Sequence, residues 1–178
     1  RLGADATELV DAKEVDMDNR YHVRDTKQIE GWTQFNFEGR NNTYSNFKWH
    51  KEHFKAVDFD VKTQTNAIYL FEDKSWDLQV DSENFNYDYL MGADVDFYNK
   101  EVQAELLNWL TWYYELTKFD GVRLDAIKHI DASFLKMALR KLREFTQDSF
   151  AVGEYWSGDL KALHDHLMDV DFSMQFFD

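Results

Sequence analysis

The sequence predicts a mixed α/β fold in which a β-rich first half precedes a second half of alternating strands and helices. Residues 1 to about 96 are polar and carry short alternating stretches with the period of half-buried strands. Residues from about 97 to 178 instead follow a helix, strand, helix, strand, helix, strand order, which implies a parallel sheet with right-handed crossovers. At 178 residues and 44% hydrophobic content, the chain is long enough to bury a core.

The strands of the first half are predicted from two alternating segments. Residues 32–37 and residues 67–71 alternate apolar and polar side chains, as strands with one buried face do. Between them, residues 39–42, Gly-Arg-Asn-Asn, have the composition of a turn. We therefore expect a small β-rich unit with long loops.

The second half is predicted from periodic apolar stripes. A first helix carries apolar residues at helical spacing, a second follows Asp131, whose side chain can cap it, and a third surrounds residues 160–167. Short apolar runs between the helices predict strands at residues 121–124, 150–153 and 172–176. The stripe of the first helix consists of Val102, Leu106, Trp109, Leu110 and Tyr113.

Composition and charge exclude several classes of function. Acidic residues outnumber basic ones 34 to 20, and a net charge of −14 does not favour binding to a phosphate backbone, so we expect no nucleic-acid partner. The absence of Cys excludes disulfides and thiolate metal sites. No apolar run reaches membrane-spanning length, so no membrane partner is expected. Neither the absence of Cys nor the absence of a long apolar run decides between a secreted and a cytoplasmic protein.

Two carboxylates stand where predicted parallel strands end. Asp125 follows residues 121–124, and Glu154 follows residues 150–153 one strand–helix repeat later. Functional side chains of parallel α/β barrels project from this end of the strands, and adjacent strands lie about 4.8 Å apart. We therefore expect a separation between the carboxyl groups nearer the roughly 5 Å of retaining glycosidases than the wider gap of inverting ones.

Asp125 and Glu154 have a structural interpretation as well as a catalytic one. As a catalytic pair, Asp125 attacks the anomeric carbon while Glu154 protonates the leaving oxygen and later activates water. Arg123 lies two residues before Asp125 on the same face of the strand, where its guanidinium holds the aspartate ionised. In the structural interpretation, Asp125 only pairs with Arg123 or Lys128, and Glu154 only caps the next helix. The spacing leaves both interpretations open.

The same segments resemble motifs of a known family. Residues 121–129, Gly-Val-Arg-Leu-Asp-Ala-Ile-Lys-His, closely resemble the strand-four motif of the α-amylase family, glycoside hydrolase family 13. Residues 152–156, Val-Gly-Glu-Tyr-Trp, resemble its strand-five motif. The resemblance, to bacterial liquefying and cytoplasmic α-amylases in particular, extends over essentially the whole chain. Further similar segments are residues 3–8, 31–33, 44–49 and 86–91.

The resemblance implies an internal fragment of a larger enzyme. Residues 1–96 would be the B domain, a β-rich insertion after barrel strand three, and residues 97–178 would be about strands 4 to 6 of the catalytic (β/α)8 TIM barrel, domain A. The strand-three motif of the family and its third catalytic aspartate, near strand seven, are not in this sequence. We therefore expect the isolated fragment to be inactive and its parent to be a monomer.

In this family the parent would be a retaining, endo-acting α-amylase that hydrolyses internal α-1,4 bonds of starch, glycogen or maltooligosaccharides. The resemblance makes Asp125 the nucleophile and Glu154 the acid/base. Two alternatives stay open: a related α-glucan transglycosylase, and a noncatalytic glucan- or calcium-binding module on the same fold. The substrate-binding residues would be Arg123, Lys128, His129 and Trp156.

The resemblance also implies a calcium ion that joins the B domain to the barrel. Positions matching Asp88 and Asp94, together with the backbone carbonyl of His129, would bind it, and oxygen is the ligand atom that calcium takes. The remaining protein ligand would come from the strand-three motif. The implied cofactor is therefore Ca²⁺.

A further metal cluster, often present in liquefying amylases, is matched only in part. Asp77 and Asp96 fit its pattern, whereas Lys55 stands in place of a central carboxylate and Tyr98 in place of another acid. A lysine repels a cation that would bind beside it. We therefore expect one calcium ion rather than several.

Overall fold

Two separate β-sheets organise the chain in the computed structural model, which describes residues 3–147 and 149–177. The first sheet is antiparallel and is formed by residues before 96, whereas the second is parallel and is formed by residues after 120. The mixed α/β class predicted from the sequence is therefore confirmed.

The antiparallel sheet is built from β1 (Ala6–Val15), β2 (Val23–Gln34), β3 (Phe54–Asp60), β4 (Thr65–Phe71) and β5 (Ala93–Val95). Their order across the sheet is β2-β1-β4-β3-β5. The predicted strand at residues 67–71 lies within β4, and the one predicted at residues 32–37 overlaps only the end of β2.

The β1–β2 hairpin is longer than the sequence suggested. Its strands have 10 and 12 residues, and β1 was not predicted at all. Val10, Ala12 and Ile29 are buried on one face, while polar side chains pair on the other, where Thr7 Oγ1 donates to Glu30 Oε1 at 2.6 Å. The expectation of short strands was wrong here because these polar residues cover an exposed sheet face instead of forming turns.

The second half alternates helices and strands: α1 (Lys100–Thr117), β6 (Gly121–Leu124), α2 (Ala132–Phe145), β7 (Phe150–Glu154), α3 (Leu160–Asp169) and β8 (Gln175–Phe177). The strands pair in parallel in the order β6-β7-β8, which confirms the predicted parallel sheet. The last strand begins later than expected, because Asp171 and Phe172 adopt left-handed backbone angles, with φ of 56° and 51°.

Polar caps begin the three helices. The side chain of Asn99 accepts hydrogen bonds from two backbone N–H groups of α1, and Asp159 accepts one at the start of α3. Asp131 accepts one from Ser133 at the start of α2, as the sequence predicted. Within residues 3–147 and 149–177, no helix is long and apolar enough to cross a membrane.

The core of the second half fixes the loop that follows β6. Ile127, Leu139, Ala151 and Met174 are buried together between the parallel sheet and its helices. Gly153 on β7 lies so close to this cluster that a Cβ atom would stand 2.4 Å from Ile127 Cδ1 and 2.8 Å from Met174 Sδ. A larger residue would displace both side chains, and the absence of a side chain on Gly153 lets the Ile127 loop pack directly against β7.

Buried His166 on α3 makes part of the folding stability depend on pH. Its ring lies 4.9 Å from the Tyr155 ring and 5.7 Å from the Phe176 ring. Burial lowers the pKa of His166 to about 4, against the opposing attraction of Asp81 and Asp131. The unfolded chain therefore binds the proton more readily, so the stability is complete above about pH 6.5 and is lost as the pH falls towards 4.

We expect His166→Gln to flatten this pH dependence. At about pH 5 the unfolded wild-type chain binds a proton on His166 that the folded protein does not, and this lowers the free energy of unfolding by about 2 kcal/mol. The variant has no titrating group at this position and does not lose this stability. Urea unfolding of the full-length protein at about pH 5 and about pH 7.5 measures the difference. His164→Gln, an exposed histidine of the same helix, is the control and should behave as wild type. Equal pH dependence in wild type and His166→Gln would contradict this account.

Candidate active site

The ends of β6 and β7 bring the two predicted carboxylates side by side. The parallel register pairs Leu124 with Gly153, so Asp125 and Glu154 are the next residues on neighbouring strands. The Asp125 side chain is 72% exposed, whereas that of Glu154 is 16% exposed. Asp125 is therefore open to an incoming molecule, and Glu154 is held within the protein.

Arg123 joins both carboxylates. Its Nη1 donates to Asp125 Oδ1, and its Nη2 lies 2.9 Å from Glu154 Oε2. The guanidinium also lies over the Phe177 ring, 5.4 Å from its centroid. The sequence predicted the contact with Asp125 and missed the one with Glu154, which follows from the pairing of Arg123 with Val152 on β7. Charge-assisted bonds of this kind orient two carboxylates with one rigid cation.

A second donor holds Glu154. Ala126 adopts a left-handed conformation with φ 48° and ψ 40°, which is uncommon for a residue with a side chain. Its backbone N–H donates to Glu154 Oε2 at 3.2 Å. Glu154 does not cap α3, because Asp159 fills that position. The helix-cap interpretation of Glu154 is therefore excluded, and the strained residue lies beside the carboxylate pair, as such residues often do at functional sites.

Lys128 does not pair with Asp125. Its Nζ donates to Glu83 Oε2 at 2.7 Å and to the Trp156 carbonyl at 3.2 Å, and it lies 4.6 Å from the centroid of the Tyr87 ring. The loop that carries Glu83 and Tyr87 is thereby held against the ends of the parallel strands.

The proton on His129 is fixed by its neighbour. Nδ1 lies 2.7 Å from the Tyr87 carbonyl, and because a carbonyl only accepts, Nδ1 must be the donor. Burial lowers the pKa of His129, which favours the neutral ring. In the neutral ring Nε2 is an acceptor, so His129 can receive a hydrogen bond from a hydroxyl group.

A cavity of about 300 Å³ opens beside Glu154. Its walls are largely apolar and aromatic with a few polar groups, a lining that suits a sugar ring with its apolar faces and hydroxyl edges. Of the predicted substrate-binding residues, Arg123 contacts the carboxylates rather than this cavity. The residues that line it are Tyr87, Leu90, Ala126, Lys128, His129, Glu154 and Trp156.

Sequence reasoning missed the part that the loop before β5 plays in this cavity. Tyr87 and Leu90 form one wall, and Asp81 anchors the loop by accepting a hydrogen bond from Tyr155 Oη at 2.7 Å and by donating its backbone N–H to the Lys128 carbonyl at 3.0 Å. The family resemblance of residues 86–91 was the available signal, but it carried no role for single residues.

The predicted metal ligands Asp88 and Asp94 lie in a cluster with Asp77 and Lys55. Lys55 Nζ contacts Asp77 Oδ1 and lies 3.4 Å from Asp88 Oδ2. Asp77 and Asp88 are fully or almost fully buried. Burial raises the pKa of Asp77 to about 7 and also raises the pKa values of Asp88 and Asp94, and repulsion by nearby carboxylates, which for Asp88 is that of Asp131, adds to each shift. Ionising all three carboxylates is therefore unfavourable without a further cation, because Lys55 supplies only one positive charge.

Three carboxylate oxygens of this cluster have no hydrogen-bond partner among the residues described: Asp77 Oδ2, Asp88 Oδ1 and Asp94 Oδ2. A buried anionic oxygen without a partner is costly, and a bound cation removes that cost. These oxygens therefore fit a cation. Side chains of His, Asp and Glu alone do not assemble a three-ligand metal site within residues 3–147 and 149–177.

Comparison with known proteins reveals close relatives. The α-amylase of Bacillus licheniformis is 48% identical over 178 residues, which cover 99% of this chain and 35% of the relative. The cytoplasmic α-amylase of Escherichia coli (strain K12) is 34% identical over 184 residues, which cover 100% of this chain and 37% of the relative. The chain thus spans little more than a third of the length of these two relatives.

A solved structure also aligns with part of the chain. It is the crystal structure of an α-amylase from Geobacillus thermoleovorans complexed with acarbose, with 28% identity and a TM-score of 0.46. The alignment covers 51% of this chain and 20% of that one.

A family model points to the same group of enzymes. The model of glycosyl hydrolase family 70 matches residues 18–151. Family 70 shares a clan with the α-amylase family that the strand-end motifs predicted, and the α-amylase relatives match the chain over its whole length. The chain therefore belongs to the α-amylase family of glycoside hydrolases, within the clan that this family shares with family 70.

Proposed function

We propose that this chain is part of a retaining α-amylase that hydrolyses internal α-1,4 bonds of starch, glycogen or maltooligosaccharides. The observation that carries this proposal is the adjacency of Asp125 and Glu154 at two parallel strand ends, with Arg123 bound to both. The α-amylases that match the whole chain support the choice of substrate.

The reaction proceeds as a double displacement on the two carboxylates. Asp125, the exposed member, attacks the anomeric carbon as the glycosidic C–O bond breaks, and Glu154 gives its proton to the leaving oxygen. Glu154, now ionised, then takes a proton from water, which attacks the same carbon and releases Asp125. Arg123 orients Asp125 for the first step.

The cavity beside Glu154 binds the leaving-group part of the glucan. Lys128 donates from one wall, neutral His129 accepts through Nε2, and the exposed Trp156 ring supplies an apolar face. These groups hold the sugar next to the acid that must protonate it, which is the positioning that the first step requires.

The domain organisation follows the two sheets. Residues 1–96 are the B domain, because the whole antiparallel sheet lies within them, and residues 97–178 are part of the barrel. The strands β6, β7 and β8 correspond to barrel strands four to six. Hydrogen bonds such as that between Tyr155 and Asp81 link the two parts, so the B-domain loop forms one wall of the cavity.

Asp88, Asp94 and the backbone carbonyl of His129 would hold a calcium ion at this junction. The unpartnered oxygens of both aspartates support this assignment. Its role would be structural, because the residues that would hold it belong to the loop before β5, to β5 and to the turn after β6, and a calcium ion would supply positive charge to these carboxylates.

A transglycosylase is the second candidate. The first step would be the same, but a sugar hydroxyl would replace water in the second, and the largely apolar cavity wall suits an acceptor sugar. Chromatography of products from maltoheptaose, incubated with the full-length enzyme, distinguishes the two. Hydrolysis gives only shorter chains, transfer gives chains longer than the substrate, and no change in the substrate would favour a noncatalytic glucan-binding module.

A further inference from the structure

We infer that Lys55 is a built-in cation that takes the place of a metal ion at the junction between the antiparallel sheet and the loop before β5. Lys55 lies on β3, between β4 and β5 of the antiparallel sheet, and only 1% of its side chain is exposed. The number of metal ions in this inference rests on the calcium site proposed above, whereas the role of Lys55 does not.

The ammonium group of Lys55 has the surroundings of a bound metal ion. Its Nζ contacts Asp77 Oδ1, lies 3.4 Å from Asp88 Oδ2, and faces the Tyr98 ring at 4.6 Å from its centroid. The charge of Asp94, which lies on the neighbouring strand β5, also acts on this ammonium group. One cation thus contacts two carboxylates, and a third lies on the neighbouring strand.

Charge counting supports a single further ion beside Lys55. Cation binding requires ionised carboxylates, and with Asp77, Asp88 and Asp94 all ionised, the one positive charge on Lys55 leaves two negative charges without a counter-charge. The unpartnered oxygens belong to these same aspartates, and those of Asp77 and Asp88 are closed off from solvent in almost fully buried side chains. Two charges match one divalent cation, and a second divalent ion in contact with Asp77 would lie against the ammonium group and be repelled.

An ordinary buried ion pair makes a different prediction. If Lys55 served only as the partner of Asp77, its replacement would leave an unpaired carboxylate and destabilise the fold, whatever the metal concentration. If Lys55 stands for a metal ion, a carboxylate in its place completes a site that a metal ion can fill. Metal content and chelator sensitivity therefore separate the two roles, and neither measurement depends on catalysis.

The test compares the amount of bound calcium in the full-length wild-type protein and in its Lys55→Asp variant. Each is stripped with EDTA, equilibrated with calcium and analysed by atomic emission, and its Tm is measured with EDTA and with excess calcium. We expect Lys55→Asp to bind about one calcium ion more per molecule than wild type, and its Tm to fall in EDTA and recover in calcium. Adding Asp77→Asn to Lys55→Asp should remove the extra ion.

Two further variants complete the test. Lys55→Met removes the charge without adding a ligand, and we expect its Tm to rise more on calcium addition than that of wild type. Lys161→Met, which breaks an exposed pair with Asp165, is the matched control and should leave both readouts unchanged.

The results distinguish this inference from the proposed calcium site. If wild type binds no calcium at this junction and Lys55→Asp binds one ion, the calcium site is wrong and the role of Lys55 stands. If Lys55→Asp binds the same amount of calcium as wild type and its lost Tm is not restored by calcium, Lys55 is an ordinary ion-pair residue and the inference is overturned.

Discussion

Asp125→Asn in the full-length enzyme is expected to lower kcat/KM on soluble starch by about 10⁴-fold or more. The amide oxygen is a poor nucleophile, so the covalent glycosyl-enzyme does not form. The amide group matches the carboxylate in size, and the Asp125 side chain is 72% exposed, so folding should be unaffected. Initial rates of reducing-end release, together with circular dichroism, measure both effects.

Asp120→Asn is the matched control for this variant. Asp120 is an exposed aspartate at the other end of the same strand, β6, remote from the carboxylate pair. It should retain the activity of wild type. Substantial starch hydrolysis by Asp125→Asn would remove this residue from the role of nucleophile.

Glu154→Gln should affect substrates according to their leaving groups. We expect a loss of about 10²- to 10⁴-fold on starch, whose leaving oxygen needs a proton. On an α-maltosyl fluoride the first step needs no proton donor, since fluoride leaves unaided. The second step still lacks its base, so fluoride release should show a burst of about one equivalent per enzyme followed by slow turnover.

Stopped-flow measurement of fluoride release provides the readout for Glu154→Gln. Glu144→Gln, an exposed glutamate on α2, is the control and should leave both substrates unaffected. Equal losses of activity on starch and on the fluoride, without a burst, would show that Glu154 is not the acid/base.

The parallel half of the fold was predictable because its pattern is local. The apolar stripe of α1 and the cap at Asp131 are features of consecutive residues, and the structure contains both elements. β1 was missed for the opposite reason. Its charged residues look like those of a loop, and only pairing with β2 along its full length explains why they form a strand.

The candidate site was predictable to the extent that strand ends define it. Asp125 and Glu154 follow from the positions of β6 and β7, whereas the bond from Arg123 to Glu154 requires the register between the strands. The Tyr87 wall of the cavity could not be predicted, because it depends on a loop folding back from another sheet. Long-range placement, rather than residue type, limited the prediction.

The most direct test of a catalytic pair formed by Asp125 and Glu154 is the anomeric form of the first product. Proton NMR during the earliest turnover of soluble starch by the full-length enzyme reports it before mutarotation. Double displacement predicts α-anomeric products at first, with this signal absent in Asp125→Asn. Initial β-anomeric products would instead mean direct attack by water, and would contradict the assignment of Asp125 as nucleophile.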